Sequence, residues 1–320
     1  MATHLPKMAP PLVPRSRHDI YDEISPAHAL AESAKILAVL ITGSGRGVGR
    51  SQAIAFAQAG AKKIVLTSRS TDELEEVKQR VEEVSKETEV VVHTADLTDE
   101  KSVDELFEAA GEIDVLINNA GYLEPCVSIR DSNPADWTRS IDINIKGTYL
   151  ATRAFLRSGD KFGRLDPTKL RVPEHERKPV LTVINTSSVG SAGTRPGFSG
   201  YQPAKSFVNR FTEFLHFEEP LVRTFALHPG GIMTKLAKDS MPPDTHSMLV
   251  DTPELAGGFA LWLATQLKTD FLRGRYVSAN WDVTDLMNKS QQIIDENLLW
   301  TRVTGQEQVM PKGTHVYLAR

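Results

Sequence analysis

The sequence predicts an α/β protein in which one doubly wound sheet of seven parallel strands carries helices on both faces, as a single domain. Short apolar runs alternate with helical patterns from about residue 36 to residue 282, which is the repeated βαβ arrangement of such sheets. Alternating glycines stand where the first apolar run passes into the first helix. Hydrophobic residues make up 40% and charged residues 24% of the 320 residues, which is typical of a globular chain that buries a large core.

The elements follow one another in the order that this fold requires. Seven strands are expected at "ILAVLI", "KIVLTS", "EVVVHTAD", "DVLINNAG", "VLTVINTSS", "VRTFALH" and "GRYVSAN". Their apolar character suits strands that are covered on both faces. Helices are expected after the glycines, at "TDELEEVKQRVEEVSKE", at "DEKSVDELFEAAG", from residue 134 to residue 158, at "YQPAKSFVNRFTEFLHF" and at "TPELAGGFALWLATQL".

The chain divides into a central domain with additions at both ends. Residues 1–34, Pro-rich at first, are expected to form an N-terminal extension, residues 35–283 the domain, and residues 284–320 a C-terminal extension. The polar stretch 159–179 joins a helix to a strand, so we expect a surface insertion at the edge opposite the ligand crevice. Segment 231–251 is expected to form a substrate lid over that crevice.

Composition and charge exclude several classes of function. The net charge is −4 and no Lys/Arg stripe is present, so a nucleic-acid partner is not expected. The single cysteine, Cys126, cannot form an internal disulfide, which suits a reducing compartment. The N-terminus lacks the apolar core of a signal peptide and "KILAVLIT" is too short to span a bilayer, so we expect a cytoplasmic protein without membrane contact. No spacing of His, Cys, Asp or Glu suits a metal site.

The stretch "ITGSGRGVGR", residues 41–50, predicts a nucleotide-binding turn. It fits the pattern T-G-x-x-x-G-x-G and not the commoner G-x-G-x-x-G. Glycines let the backbone approach a pyrophosphate, and the N–H groups at the start of the next helix favour its charge. The residues of this loop that we expect to hold a cofactor are Gly43, Ser44, Arg46, Gly47, Val48 and Gly49.

With this loop the sequence resembles the short-chain dehydrogenase/reductase family, over residues 35–282. Further motifs of that family follow in order: "NNAG", "INIKG", "NTSSVGS", "YQPAK" and "HPGGIMT". The arm "RHDIYDEISP" and the ending "RGRYVSANWDV" resemble a filamentous-fungal branch. The resemblance implies a Rossmann-like fold and a catalytic tetrad of Asn144, Ser188, Tyr201 and Lys205, with Ser187 in place of Ser188 if the register of the loop differs.

Tyr201 and Lys205 are four residues apart on a predicted helix, so both side chains can address one point. Free tyrosine titrates near about 10, and a neighbouring ammonium group favours the phenolate. We therefore expect Lys205 to lower the pKa of Tyr201 and to make it a general acid for carbonyl reduction and a general base in reverse.

The resemblance assigns roles to further residues. Lys205 also holds the nicotinamide ribose, and Ser188 hydrogen-bonds the substrate oxygen. Asn144, a poor helix former inside a predicted helix, bends that helix and holds a water molecule that connects Lys205 to solvent. The remaining expected cofactor contacts are Asn118 and Gly121 near the adenosine ribose, and Ile232 and Thr234 at the nicotinamide carboxamide.

The end of the second strand favours NADP(H) over NAD(H). An acidic residue there usually binds the ribose 2′-hydroxyl, but this sequence has Ser68 followed by Arg69. Arg46 is a second cation within reach of a 2′-phosphate, which the planar guanidinium group binds in bidentate fashion. Asp96 is expected to contact the adenine or, alternatively, to cap a helix.

The sequence therefore predicts an NADP(H)-dependent oxidoreductase that interconverts a carbonyl and a secondary alcohol, with an aromatic or polyketide-like substrate of secondary metabolism implied by the fungal resemblance. A redox-neutral enzyme of the same family, such as a dehydratase, epimerase or cyclase, is one alternative. A nucleotide-bound regulator without turnover is another. The methionines of the lid suit an apolar, adaptable pocket. By resemblance we expect a homo-oligomer, in particular a dimer formed through the helices that carry Asn144 and Tyr201.

Overall fold

One parallel sheet lies at the centre of the computed structural model, which describes residues 11–166, 168 and 181–303. Its seven strands are β1 (Ala38–Thr42), β2 (Lys63–Thr67), β3 (Glu89–Val92), β4 (Val115–Asn118), β5 (Leu181–Thr186), β6 (Val222–His228) and β7 (Tyr276–Ser278). Their order in the sheet is β3-β2-β1-β4-β5-β6-β7, and every neighbouring pair is parallel. The predicted Rossmann-like fold class is confirmed. Because the order reverses between β1 and β4, a crevice opens at their carboxyl ends.

Helices cover both faces of the sheet. They are α1 (Gly47–Gln58), α2 (Thr71–Val84), α3 (Glu100–Ala110), α4 (Pro134–Ile141), α5 (Thr148–Lys161), α6 (Tyr201–Glu218), α7 (Lys235–Ser240), α8 (Pro253–Thr265), α9 (Val283–Asn288) and α10 (Ser290–Asp295). β1 sends Val39 and Ile41 into the core beneath α1, α2 and α8, and Leu40 into the core beneath α3, α5 and α6. This alternation with two apolar faces explains why the strands read as continuous hydrophobic runs.

The long helix predicted over residues 134–158 contains a π-helical turn, Asp142–Gly147, between α4 and α5. Nδ2 of Asn144 donates to the carbonyl oxygen of Ser140 at 2.8 Å, the acceptor that an α-helix offers to the backbone N–H of residue 144. Thr148 Oγ1 in turn donates to the carbonyl oxygen of Asn144 at 2.9 Å. Side chains thus take over part of the helical hydrogen bonding at the turn that holds Asn144.

The N-terminal segment packs into the same core as the sheet. Val13, Ile24 and Leu30 are buried against the residues of α8. Gly258 makes room for this segment, because a Cβ there would overlap the Ile20 side chain and lie 2.6 Å from the Ile24 carbonyl oxygen. Arg15 forms an antiparallel bridge with Trp281 beyond β7. The predicted extension 1–34 is therefore joined to the domain wherever it is described.

The remaining predicted segments are the lid, the insertion and the two extensions, and the structure describes all of the lid but only part of the others. The expected lid 231–251 includes α7, and a bridge between Ile232 and Asp251 brings its two ends together. Of the expected insertion 159–179, residues 167 and 169–179 lie outside the described residues, as do residues 1–10 and 304–320 of the two extensions. Within the described part of the chain, no helix has both the length and the apolar character needed to cross a membrane.

Candidate active site

A cavity of about 1510 Å³ opens where six strands, β1 to β6, end. Its walls are the glycine loop, the residues that follow β2, β3, β4 and β5, the first turn of α6, and the segment between β6 and α8. Pockets for drug-sized ligands hold roughly 300–1,000 Å³, so this cavity has room for a dinucleotide together with a substrate.

The glycine loop is shaped for close approach of a phosphate group. Gly43 and Gly47 have φ angles of +63° and +55°, a region that other residues rarely adopt. A Cβ on Gly43 would lie 2.8 Å from Ala120 Cα, and one on Gly49 would collide with the Gly43 carbonyl oxygen. Arg46, the N-cap residue of α1, makes no side-chain capping bond. The first N–H groups of α1 therefore face the open side of the loop, where the diphosphate of a dinucleotide fits.

Three of the expected cofactor residues do not line the cavity with their side chains. Ser44 is buried, and its Oγ accepts from the backbone N–H of Thr67 at 2.9 Å, which ties the loop to β2. Gly49 lies within α1 behind the loop. Nδ2 of Asn118 donates to Asn185 and Thr152 inside the core, whereas the neighbouring residues Asn119, Ala120 and Gly121 form the cavity wall.

Two arginines reach the far end of the cavity beside Ser68. Arg46 Nη1 donates to Glu73 Oε1 at 2.8 Å, and Arg69 is exposed. Glu73 lies under the loop: a Cβ on Gly45 would be 2.9 Å from Glu73 Cβ and 3.2 Å from Ser68 Oγ. Glu73 could not be recognised as a site residue from the sequence, because acidic residues are common in the first turn of any helix.

Asp96 lines the cavity next to this end. Hydrogen bonds from the backbone N–H and the hydroxyl of Thr98 hold the pKa of Asp96 below its ordinary value, and the positive charge of Arg69 acts in the same direction. The N-cap of α3 is Asp99, whose side chain accepts from the backbone N–H of Ser102. The alternative interpretation of Asp96 as a helix cap is therefore wrong.

Three of the four predicted tetrad residues, Ser188, Tyr201 and Lys205, line the cavity. Ser188 follows β5 and hydrogen-bonds with Tyr201, which begins α6. Lys205, one turn further, is 4% exposed and donates through Nζ to the carbonyl oxygen of Thr186 at 2.7 Å. Its Nζ lies 5.5 Å from the centre of the Tyr201 ring.

Asn144 stands behind the lysine. Its Nδ2 donates to the carbonyl oxygen of Tyr122 at 2.6 Å, and its Oδ1 is buried with no hydrogen-bond partner among the described residues. A Cβ on Gly121 would lie 3.0 Å from Asn144 Oδ1 and 3.8 Å from Lys205 Nζ. The glycine thus keeps open a polar gap between the amide oxygen and the ammonium group, which is a place for a hydrogen-bonded water molecule.

Burial dominates the ionisation of the central pair. It raises the pKa of Tyr201 to about 12; the hydrogen bond with Ser188 lowers that pKa, and the negative charge of Glu124 raises it. Burial lowers the pKa of Lys205 to about 8. The sequence led us to expect that Lys205 lowers the pKa of Tyr201. The structure differs, because the ammonium group is directed at the Thr186 carbonyl and burial disfavours the charged form of both side chains.

The segment after β6 closes the other side of the cavity. Ile232 is buried and Thr234 caps α7, and both line the cavity. Gly47 and Thr234 are in contact range, since a Cβ on Gly47 would lie 3.3 Å from Thr234 Cγ2. The glycine loop and the segment that follows β6 therefore meet across the site.

Comparison with known proteins identifies this arrangement. The family described as short chain dehydrogenase matches residues 37–244. The chain belongs to the short-chain dehydrogenase/reductase family. Short chain dehydrogenase mpl6 of Monascus purpureus is 37% identical over 298 residues, which cover 90% of this chain and 94% of that protein. Short chain dehydrogenase tazN of Aspergillus terreus is 34% identical over 287 residues, which cover 87% of this chain and 59% of that protein.

Solved structures of this family share the fold. The 3-ketoacyl-(acyl-carrier-protein) reductase of Brucella melitensis, complexed with NADH, is 25% identical with a TM-score of 0.63; the match covers 76% of this chain and 96% of that one. Levodione reductase is 26% identical with a TM-score of 0.65, covering 76% and 95%. As a short-chain dehydrogenase/reductase, the protein is an oxidoreductase with a fold that binds a nicotinamide cofactor. Enzymes of this family act on small molecules, and the relatives of this chain include proteins of filamentous fungi.

The site of this short-chain dehydrogenase/reductase includes residues that sequence reasoning missed. Arg15 of the N-terminal segment lines the cavity near the turn after β6, although the family match begins only at residue 37. Glu124 lies beside the start of α6 and acts on Tyr201. Neither belongs to a motif, so no signal in the sequence alone marked them.

Proposed function

We propose that the protein is an NADP(H)-dependent oxidoreductase that interconverts a carbonyl and a secondary alcohol. The observation that carries this proposal is the pairing of the Tyr201 and Ser188 hydroxyl groups at the cavity, with Lys205 and Asn144 behind them. The nicotinamide cofactor supplies or accepts the hydride. The chain supplies binding, orientation and the proton.

Each tetrad residue has a distinct task in this proposal. In carbonyl reduction Tyr201 donates its hydroxyl proton to the substrate oxygen, and in alcohol oxidation it takes that proton back. Ser188 holds the same oxygen by a hydrogen bond, which stabilises the charge that develops there. Lys205 holds the nicotinamide ribose. The gap between Lys205 Nζ and Asn144 Oδ1 accommodates the water that returns a proton from solvent.

The preference for NADP(H) rests on the two arginines at the end of β2. No carboxylate occupies the position of Ser68, and Arg46 and Arg69 both border the same part of the cavity. An exposed 2′-phosphate would form charge-assisted hydrogen bonds with these guanidinium groups. Asn118 and Asp96 remain the proposed neighbours of the adenosine, the former through its backbone because its side chain points into the core.

Glu73 favours a second candidate, an NAD(H)-dependent enzyme. Its carboxylate is within reach of Ser68 and already binds Arg46, so it could accept a hydrogen bond from a ribose 2′-hydroxyl. The variant Arg46→Ala/Arg69→Ala separates the two. Binding of NADPH should weaken far more than binding of NADH; equal weakening of both would refute the 2′-phosphate contact.

The pocket composition supports an apolar, aromatic or polyketide-like carbonyl substrate of secondary metabolism. The apolar side chains that line the substrate end of the cavity are Leu123, Phe198, Met233, Met241, Met248 and Leu249. Methionine side chains adapt to flat or irregular ligands. The filamentous-fungal relatives agree with such a role.

A homodimer through α5 and α6 is part of the proposal. Tyr149 on α5 and Phe214 on α6 are 46% and 54% exposed, and Phe207 stacks on Phe211 along the same helix. Large apolar side chains at this density on adjoining helices suit an interface between subunits.

The test is NADPH and NADH titration of the purified protein, followed by NADPH oxidation with a panel of ketones, quinones and aromatic aldehydes. Turnover of any panel member is expected, and Tyr201→Phe should abolish it while NADPH affinity stays within a few-fold. Tyr201→Phe with unchanged turnover would remove the proposed proton donor. Tight binding of NADPH without turnover would favour a redox-neutral reaction or a regulator.

A further inference from the structure

Glu124 is a buried carboxylate beside the proposed proton donor. It lies in the segment that follows β4, and only 3% of its surface is exposed. Its Oε1 accepts two hydrogen bonds, from the backbone N–H groups of Gly200 at 2.8 Å and Tyr201 at 3.0 Å. A residue from a distant part of the chain therefore holds the turn on which Tyr201 stands.

The start of α6 explains why such a residue is needed. The first N–H groups of a helix have no intrahelical acceptor, and Gly200 at the N-cap has no side chain to supply one. Glu124 supplies the acceptor, and its negative charge lies at the positive end of the helix dipole. Gly200 makes the space, because a Cβ there would be 3.1 Å from Glu124 Oε1 and 3.3 Å from Oε2.

The charge of Glu124 acts on Tyr201. Its Oε2 is buried with no hydrogen-bond partner in the described part of the chain, so no direct contact with a cation offsets it. Burial is the main cause of the raised pKa of Tyr201, the Ser188 hydrogen bond opposes it, and the charge of Glu124 adds to it. A negative charge nearby disfavours a second one on the phenol oxygen.

The other charged groups around this pair are few and differently placed. Lys205 on α6 has its Nζ 5.5 Å from the Tyr201 ring centre and is bound to Thr186. Arg195, in the loop before α6, lies with its guanidinium carbon 5.7 Å from the Phe198 ring centre at the cavity wall. Asp131 and Asp136 line a separate cavity of about 140 Å³ behind Glu124. Of these acids, Glu124 is the one that contacts the Tyr201 backbone.

We propose that Glu124 is a positioning residue for the reaction: its carboxylate fixes the start of α6 and places a negative charge beside Tyr201, which favours the neutral hydroxyl and so suits the site to carbonyl reduction. This inference rests on the proposed function of Tyr201 as proton donor. An enzyme leaves the equilibrium between carbonyl and alcohol unchanged, so Glu124 acts on the pH at which each direction is fastest. With the carboxylate present, proton donation extends to higher pH.

The first experiment needs no turnover. Tyrosinate formation is followed by ultraviolet difference spectroscopy across alkaline pH. The chain has six tyrosines, so the spectrum of each protein is compared with that of the same protein carrying Tyr201→Phe, and the difference reports Tyr201 alone. Glu124→Gln keeps an oxygen for the two N–H groups and removes the charge. Tyr201 in this variant should ionise about one pH unit lower than in the wild type. Asp131→Asn, which removes a nearby charge without contacting α6, should leave the titration unchanged.

The second experiment measures carbonyl reduction against pH. The alkaline limb should move to lower pH in Glu124→Gln by the same amount, which a merely structural role would not produce. An unshifted tyrosinate titration, or an equal shift in Asp131→Asn, would overturn the inference while leaving the proposed function intact. A different outcome is also informative: the wild-type protein shows no turnover, but the Tyr201 titration is shifted in Glu124→Gln. That result would refute the proposed function and still support the effect of Glu124 on the ionisation of Tyr201.

If Glu124→Gln does not fold, Glu124→Asp is the variant to measure instead. Glu124→Asp keeps the charge but draws it back by one methylene group, so Tyr201 should ionise at a pH between those of the wild type and of a neutral side chain. A titration identical to the wild type in this variant would count against the inference.

Discussion

Ser187 Oγ donates to Asn209 Oδ1 at 2.6 Å, which turns one of two adjacent serines into the interior. Ser187 is 1% exposed, whereas Ser188 is partly exposed and hydrogen-bonds with Tyr201. This difference favours Ser188 over Ser187 as the proposed hydroxyl beside the tyrosine. Neighbouring residues of an extended segment point their side chains to opposite sides, which is why the two hydroxyl groups differ in direction although both residues border the cavity.

This relationship predicts different outcomes for two matched substitutions. Ser188→Ala should lower kcat by roughly 100-fold, since it removes a hydrogen-bond donor at the oxygen where charge develops. Ser187→Ala should leave kcat within a few-fold and lower the free energy of unfolding by about 1–3 kcal/mol, because it leaves the buried Asn209 Oδ1 unpaired. Steady-state kinetics and urea unfolding of both variants check this. The reverse pattern would exchange the roles of the two serines.

The ion pair between Glu73 and Arg46 predicts that a substitution at Glu73 changes the preference between NADPH and NADH. In Glu73→Gln the guanidinium group of Arg46 is no longer held by a carboxylate, and a negative charge near the proposed 2′-phosphate site is lost. The ratio of NADPH to NADH affinity should rise about two- to five-fold, because the pair is partly exposed and such pairs are worth less than about 1 kcal/mol.

Fluorescence titration with both cofactors measures this ratio. Glu75→Gln is the control, since Glu75 is an exposed residue of the same helix that does not border the cavity. A ratio that falls in Glu73→Gln would indicate that the carboxylate binds the ribose of NADH, and it would favour the NAD(H) candidate.

Local pattern was enough to predict the fold, whereas the proposed tetrad came from the family resemblance. The seven strands are short apolar runs between turn signals, and each lies where the pattern placed it within a few residues. The residues proposed as the tetrad could be located because they follow motifs in a fixed order along the chain. The π-helical turn at Asn144 could not be predicted in detail, because it depends on side-chain bonds to Ser140 and Tyr122 that only the folded chain brings together.

The parts that could not be predicted depend on contacts between distant segments. Arg15 reaches the cavity because the N-terminal segment pairs with Trp281, far away in the sequence. Ser44 was expected at the cofactor, but its hydroxyl bonds to β2, and a serine in a loop carries no sign of which way it turns. Contacts between segments far apart in the sequence leave no periodic pattern of residues, so they cannot be predicted from the sequence alone.

Asp251 joins the N-terminal segment to the expected lid, residues 231–251. Its side chain is fully buried; its Oδ1 lies 2.5 Å from His18 Nδ1, and its Oδ2 accepts the backbone N–H of Gly231 at 2.5 Å and lies 3.6 Å from Arg15 Nη2. Burial by itself raises the pKa of this carboxyl group, but hydrogen bonds from Asn280, His18 and Gly231 bring it below the ordinary value. The carboxylate thus links the N-terminal segment, the turn after β6 and the residues after β7.

Asp251→Asn should therefore lower the free energy of unfolding by about 1–3 kcal/mol, as expected when charged hydrogen bonds at a buried site are weakened. Asp239→Asn, which breaks an exposed pair with Lys235, should change it by less than about 1 kcal/mol. Urea unfolding at neutral pH compares the two. Equal effects would show that the N-terminal segment and the lid are not coupled through Asp251.

His228, at the end of β6, predicts a loss of stability in acid. Burial lowers its pKa to about 3, and both ring nitrogens are buried without a hydrogen-bond partner among the described residues. The unfolded chain takes up a proton at the ordinary histidine pKa of about 6.5. Between these two values the unfolded state binds one proton more than the folded state. In this range the protonation of His228 in the unfolded chain should therefore lower the free energy of unfolding by about 1.4 kcal/mol for each unit by which the pH is lowered.

The measurement is the slope of the free energy of unfolding against pH between about 4.5 and 6. His228→Asn should have a slope smaller than that of the wild type by about 1.4 kcal/mol per pH unit, whatever its stability at neutral pH. His28→Asn, which removes an exposed histidine, is the matched control for the loss of an imidazole group. His216, whose pKa burial lowers to about 4, adds a second contribution of the same sign that both variants retain. A slope unchanged in His228→Asn would mean that the folded protein admits a proton at this site.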